Sequence, residues 1–215
     1  MRTAPLKGKK IGVLVESEFI SEEIEAYRRV FAELGAEVHF MSRLWGQGKL
    51  TFVSADQDDS TPLTLEVDTD FQDVNPDEYA AIIMAANYTS VRLRYFEPPE
   101  GQPFSADMVR SAPAVQFFAR AMANRRVVKG ALCHGLWILT PNPELLKGRK
   151  VICHEVVLAD VLNCGAHYIP PDTENIGVVV DEDLVTGRSR REVLAFIQAI
   201  VKQIQAISEG GDEGA

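Results

Sequence analysis

Cysteine is scarce in this chain: Cys133, Cys153 and Cys164 are the three found in 215 residues. So few, and an odd number, argue against a disulfide framework and fit free thiols in a reducing compartment. Long hydrophobic runs are missing too, and nothing approaches the roughly 20 apolar residues needed to cross a bilayer. The N-terminal stretch MRTAPLKGKK is basic, but the apolar segment after it is only IGVLV, too short for the core of a signal peptide. The expected location is the cytoplasm. Positive charge is in short supply, with 22 basic residues against 31 acidic ones and a net charge of −9. An acidic chain without a basic stripe is a poor partner for nucleic acid or an anionic membrane, and neither is expected. There is no GxGxxG or Walker A pattern, so no nucleotide cofactor is expected, and no cofactor of any other kind.

What is present is an ordinary globular composition, 46% hydrophobic and 25% charged, in a length that suits one domain with a core of its own. The apolar pattern alternates between two periods. Residues 10–16 (KIGVLVE) form a short continuous apolar run, as a buried parallel strand should. Ser21 is the expected N-cap of a helix with Glu22 and Glu23 in its first turn and Ile24, Tyr27, Phe31 and Leu34 on its buried face, closed by Gly35. Residues 36–42 read as a second strand. An excursion follows over 43–76, marked by Gly46, Gly48 and the polar run ADQDDSTP, with LTLEV (63–67) as a small edge strand. Residues 79–86 (YAAIIMAA) read as a central strand. Residues 92–106, rich in proline and aromatics, read as an irregular insertion. A helix is expected over 107–124, with Pro113 interrupting or restarting it.

Residues 127–132 read as the next strand, then a short helix ending near Pro141, a strand from Lys150 to Cys153 and a helix over 155–163. Short strands at 176–181 and 184–186 precede a last helix over 190–207. The segment 208–215 is expected to be a disordered tail. This alternation argues for an α/β fold, a three-layer sandwich whose mostly parallel sheet carries helices on both faces. One domain over 1–207 accounts for it, with insertions near 43–62 and 92–106.

The segment that carries chemistry is VVKGALCHG (127–135). A buried strand runs into a helix through small-x-Cys-x-Gly, the layout of a nucleophile elbow with cysteine in place of serine. A sharp turn there exposes the side chain, and a helix N-terminus would stabilise the thiolate, so Cys133 is expected to titrate below the usual thiol range. A cysteine merely buried at a strand end is the plainer alternative.

ALCHG after an apolar strand, with the acid-rich turn after strand one, resembles the ThiJ/PfpI superfamily, which shares the class I glutamine amidotransferase-like, flavodoxin-like fold. The resemblance spans roughly residues 10–205. It also takes in VNPDEYAAIIM (74–84), LLKGRKV (145–151), ADVLNCGA (159–166) and VVVDEDLVTGRS (178–189). It implies Cys133 as the elbow nucleophile, His134 as the histidine that follows it in protease-like members, and Glu23 as the glutamate that contacts the sulfur. Glu16, Glu18, Glu22 and Glu25 are rivals for that last role, Glu18 the strongest. A protonated Glu23 would donate a hydrogen bond to the sulfur, and the pair would titrate together.

Where relatives carry Pro-Gly-Gly for the oxyanion site, this chain has Ala85-Ala86-Asn87 followed by Tyr88. Backbone N–H groups of Ala86 and Asn87 remain the expected donors. His154 is expected either to line the pocket or simply to pack, and Trp137 to belong to the core or the pocket wall. Cys153, His154 and Glu155 do not converge on a metal if successive residues point to opposite faces, and no metal is expected. Arg92, Tyr95 and Phe96 are expected in a lid or in a plain surface loop.

The resemblance implies a cysteine-dependent enzyme acting on a small carbonyl, amide or peptide substrate, glyoxalase/deglycase-like or amidase/protease-like. A non-catalytic stress or redox protein with an oxidisable Cys133 is the alternative. It also implies a homodimer or higher homo-oligomer.

Overall fold

The structure is a computed structural model, and it describes residues 4–56, 61–173 and 177–210. In chain order the strands are β1 (Lys10–Leu14), β2 (Glu37–Ser42), β3 (Leu50–Val53), β4 (Thr64–Val67), β5 (Thr69–Asp70), β6 (Ala81–Met84), β7 (Val128–Leu132), β8 (Lys150–Val151), β9 (His167–Tyr168), β10 (Val178–Asp181) and β11 (Leu184–Gly187). The helices are α1 (Ser21–Glu33), α2 (Thr89–Leu93), α3 (Pro113–Ala123), α4 (Glu155–Asn163) and α5 (Val193–Gly210). The main sheet runs β10-β11-β7-β6-β1-β2-β5. Every pairing in it is parallel except the β10–β11 hairpin. All four residues of β6 and all five of β7 are buried, because helices cover both faces of the sheet.

Helix α1 buries Ile24, Tyr27 and Phe31 along one stripe. Tyr27 meets Phe196 of α5 at a ring-centroid separation of 6.4 Å, so the two helices pack together on one face. Gly130 of β7 allows this closeness: a Cβ there would stand 2.9 Å from Phe196. Gly35 ends α1 with φ +88°, a conformation that costs glycine nothing.

Several local expectations are corrected. Ser21 is the first helical residue rather than the cap. Its N–H is answered from the excursion, by Asp56 Oδ1 at 2.9 Å. LTLEV does not edge the main sheet. It pairs antiparallel with β3, whose residues carry no strand signal longer than four positions. The main sheet's edge on that side is β5. Pro113 begins α3 at its first turn, where its missing N–H costs nothing, and 106–111 is a separate 3-10 segment. The expected insertion at 92–106 starts inside α2. Helix α5 continues through Gly210, past the point where the tail was expected to begin, and the rest of that tail lies outside the described residues. So do residues 57–60 of the polar run and Ile176, the expected start of the strand that begins at Val178.

The parallel strands β1, β6, β7 and β11 share a direction, so their C-terminal ends meet at one edge. Loops leaving that edge carry the start of α1, residues 85–88, Cys133 and residues 188–192. Sites in open α/β sheets form at such an edge.

Candidate active site

Cys133 follows β7 directly and takes φ +59°, a left-handed conformation that a non-glycine residue adopts only under constraint. The constraint is visible on both sides of the peptide. Its N–H donates to Gly187 O at 2.8 Å, and its carbonyl accepts from His154 N–H at 3.2 Å. The tight turn requires Gly135, whose Cβ would lie 3.0 Å from Met84 O. The partly buried thiol faces a cavity of about 490 Å³.

The segment after Cys133 is not an α-helix. Residues 135–138 form a single 3-10 turn, which carries too few aligned peptide dipoles to act as a helix N-terminus. The expected drop in thiol pKa is therefore reversed. Burial pushes the Cys133 thiol up to about 12, a negative charge on Glu23 would push the same way, and N–H groups of Asn87 and His134 offset only part of this.

Glu23 lies beneath the cavity and is fully buried. Its Oε1 accepts from the Tyr27 hydroxyl at 2.8 Å, and the Ala86 N–H donates to both carboxyl oxygens, at 3.0 and 2.9 Å. Burial raises its pKa to about 8, against the smaller opposing pull of Tyr27 and Ala86. At neutral pH Glu23 holds its proton. Ionised Glu23 is one of the charges that raise Cys133, so the two groups titrate as a coupled pair. Glu18, the rival glutamate, stands on the surface in an ion pair with Arg92 at 3.1 Å and does not line the cavity.

The expected oxyanion donors separate. Ala86 lines the cavity, but its N–H is committed to Glu23, which removes it from that role. Asn87 takes φ +65° and keeps the backbone conformation glycine would supply, since asparagine tolerates the left-handed region. Its N–H is directed at the Cys133 sulfur, and its side chain is tied to Ala55 O at 3.4 Å. The loop is held further by the Thr89 hydroxyl, which donates to Ala85 O at 2.9 Å, and by the Ser90 hydroxyl, which donates to His134 O at 3.1 Å.

His134 is buried, and neither ring nitrogen has a hydrogen-bond partner among the described residues. Its ring packs against Tyr88 at 5.2 Å, Trp137 at 5.1 Å and His154 at 4.9 Å. Burial first and neighbouring His154 second lower its pKa to about 4, with a smaller opposing contribution from the Asn87 backbone, so it is neutral at physiological pH. His154 lines the cavity as the N-cap of α4, where its Nδ1 accepts from Val156 N–H at 3.3 Å. Tyr88 is another wall. Trp137 is not: it stands behind His134, and its indole N–H donates to Asp160 Oδ2 at 2.8 Å. Tyr95 and Phe96 line a separate apolar cavity and do not cover Cys133, contrary to a lid over this site. Among the described residues no group of three or more His, Cys, Asp and Glu side chains is placed to hold a metal ion.

Sequence reasoning missed Tyr27 as the partner of Glu23, and Arg190 and Arg191 on the cavity wall. Tyr27 was legible only as a core position. The arginines had a signal, RSRR (188–191), in a chain poor in positive charge.

The DJ-1/PfpI family profile matches residues 99–203. The deglycase PfpI of Pyrococcus furiosus is 30% identical over 142 residues, covering 66% of this chain and 72% of its own. Protein/nucleic acid deglycase 2 of Escherichia coli is 25% identical over 199 residues, covering 92% and 99%. A ThiJ/PfpI domain protein of Brachyspira murdochii superposes with a TM-score of 0.69 at 16% identity, over 93% of this chain and 98% of that one, a likeness of fold.

Proposed function

Because this chain belongs to the DJ-1/PfpI family, we propose that it is a cysteine-dependent enzyme acting on a small carbonyl or amide compound, with Cys133 as nucleophile. The observation that carries this reading is the constrained Cys133 backbone, φ +59°, which presents the sulfur to a cavity above a buried carboxyl group that keeps its proton. Strain of this kind persists where the surroundings impose it, and it clusters at reactive positions.

In the proposed reaction Sγ attacks the carbonyl carbon. An S–C bond forms and the C=O π pair moves to oxygen. The thiol proton ends on that oxygen, carried by solvent in the cavity, because the buried His134 ring, with its pKa lowered to about 4, is too weak a base to take it. The N–H groups of Asn87 and His134 are directed at the sulfur and steady the charge on it as it attacks, while Glu23, buried behind the Ala86 backbone, keeps its proton. An aldehyde stops there as a hemithioacetal. In an amide the C–N bond breaks instead, the amine leaves with the proton the thiol gave up, and water releases the acyl group. The Pyrococcus furiosus and Escherichia coli relatives are both named deglycases, so carbonyl adducts of amino groups are the first substrates to try. A reducing cytoplasm suits a cysteine that must remain a thiol.

Oxidation and nucleophilic attack both need the thiolate, so burial of Cys133 weighs equally on the two readings, and turnover separates them. The test is turnover of methylglyoxal and of a methylglyoxal-modified amino acid by wild type and by Cys133→Ser. The variant should lose roughly 10³-fold or more in kcat/KM, on the scale of removing a catalytic nucleophile. Wild type inert towards both, and towards simple amides, would overturn the reading.

A further inference from the structure

The cavity over Cys133 has three arginines on its wall, Arg188, Arg190 and Arg191, and two carboxylates, Glu155 and Glu192. Both carboxylates are committed. Glu155 pairs with Arg188. Glu192 accepts from Ser189 N–H at 2.8 Å and from the Ser189 hydroxyl at 2.6 Å, closing a capping box. The guanidinium groups of Arg190 and Arg191 have no ion pair or hydrogen bond among the described residues. Two uncommitted cations on one wall run against the chain as a whole, whose net charge is −9.

We propose that Arg190 and Arg191 form an anion subsite, and that the compound attacked by Cys133 carries a carboxylate or phosphate group a few bonds from its electrophilic carbon. The proposal rests on Cys133 being the nucleophile. A guanidinium fork matches the spacing of two oxygens on either group, which a neutral substrate cannot exploit. A volume of about 490 Å³ holds both ends of such a molecule at once. With three guanidinium groups against two carboxylates, the concave wall carries a net positive charge, which concentrates anions. Glu192, hydrogen-bonded but without an ion pair among the described residues, is one carboxylate against the two guanidinium groups; His134 is neutral, and Glu23 is uncharged below about pH 8.

Iodoacetate and iodoacetamide test this directly. Both deliver a CH₂ carbon to the sulfur and release iodide, the thiol proton going to solvent, and they differ only in charge. The readout is the ratio of their rates at Cys133, followed by peptide mass spectrometry at low salt. Arg190→Gln/Arg191→Gln should lower the iodoacetate-to-iodoacetamide ratio about tenfold, and Arg190→Glu/Arg191→Glu further, while high salt should shrink the wild-type ratio. Circular dichroism checks that the variants are folded. Protection of wild type from iodoacetamide by inorganic phosphate but not acetate, or the reverse, distinguishes the two anion types. A ratio that is the same in wild type and both variants overturns the subsite and leaves the nucleophile standing. A Cys133 that neither reagent labels in folded wild type, but both label in urea, overturns the nucleophile and the subsite with it.

Discussion

The two ends of strand β7 bury polar groups in opposite ways. Near its start, Lys129 is fully buried, but it meets Asp183 and donates to Asn124 O at 2.8 Å. Arg149 reaches the same Asp183 at 2.9 Å and the carbonyl of Asp181 at 2.6 Å. Burial alone would lift Asp183, yet Lys129 and Arg149 outweigh it and hold the carboxyl below its usual range. Just past the other end, His134 has two nitrogens unpartnered among the described residues, Cys133 is pushed up to about 12 and Glu23 holds a proton to about 8. One end answers each charge with another, so it joins β7 to the β10–β11 turn. The other leaves donors and acceptors open, which costs stability and leaves them available to a substrate.

The largest effect should come from breaking the answered end. Asp183→Asn strands the buried Lys129 charge and should cost on the order of 3–5 kcal/mol in urea unfolding, whereas Lys129→Met leaves Asp183 its pair with Arg149 and should cost less. Cys133→Ala strands nothing and should change stability by about 1 kcal/mol or less. Equal losses at both ends would abolish the contrast. The pH dependence follows in sign. Asp183 titrates lower when folded than unfolded, so its contribution is present at neutral pH and is lost as pH falls through the folded-state value.

Glu23 should act with the opposite sign. Folded, it keeps a proton to about pH 8, whereas the unfolded chain releases it near 4.5. Stability should therefore fall as pH rises through that window, with a slope of up to about 1.4 kcal/mol per pH unit from this group. Glu23→Gln removes the titration and should flatten the profile, making the variant more stable than wild type at pH 8. Urea midpoints from pH 5 to 8 measure it. An unchanged slope would mean that Glu23 is ionised in the folded state.

Tyr27 sharpens the same point at smaller scale. Its hydroxyl donates to Glu23 and pulls the carboxyl pKa down against burial. Tyr27→Phe keeps the ring in the core and removes the donor, so the Glu23 titration should move up by about one unit, the value of one hydrogen bond to a carboxylate. The readout is the upper end of the stability slope and the pH profile of Cys133 alkylation. A loss of stability with no shift in either would make Tyr27 a packing residue only.

Much of the fold and of the Cys133 site was legible in the chain, the charge cluster around Asp183 was not, and the limits are physical. Strands β1, β6 and β7 and helix α1 announce themselves because burial imposes a period on the residues that build them. The elbow is legible because only small neighbours allow the turn at Cys133. The direction of the Cys133 shift was not, since it depends on how deep the thiol sits and on whether 135–138 winds as an α-helix, neither of which is a local property. Ala86 looked like an oxyanion donor because the motif places its N–H at the right position; only the packing of α1 against the 85–88 loop commits that N–H to Glu23. Asn87 shows the reverse. Losing glycine looked like losing the loop, and a residue tolerant of φ +65° kept it.

The smallest expected effect separates the two glutamates that the sequence left in competition. Glu18 takes φ +67° at the end of the loop after β1, and its N–H donates to Val53 O at 2.8 Å, which turns its side chain out to Arg92. Both partners are partly exposed, so the pair is screened by water and salt and should contribute no more than about 0.5 kcal/mol. Glu18→Gln should leave the pH profile of Cys133 alkylation where it was, because Glu18 is paired with Arg92 and is not among the charges that act on the sulfur. Glu23→Gln should move that profile, because it removes a charge that appears beside the sulfur above about pH 8. Run side by side, the two variants differ by one carboxylate each on neighbouring turns of the chain. A profile that moved for Glu18→Gln and stood still for Glu23→Gln would reverse the assignment, and with it the account of which carboxyl group the nucleophile works against.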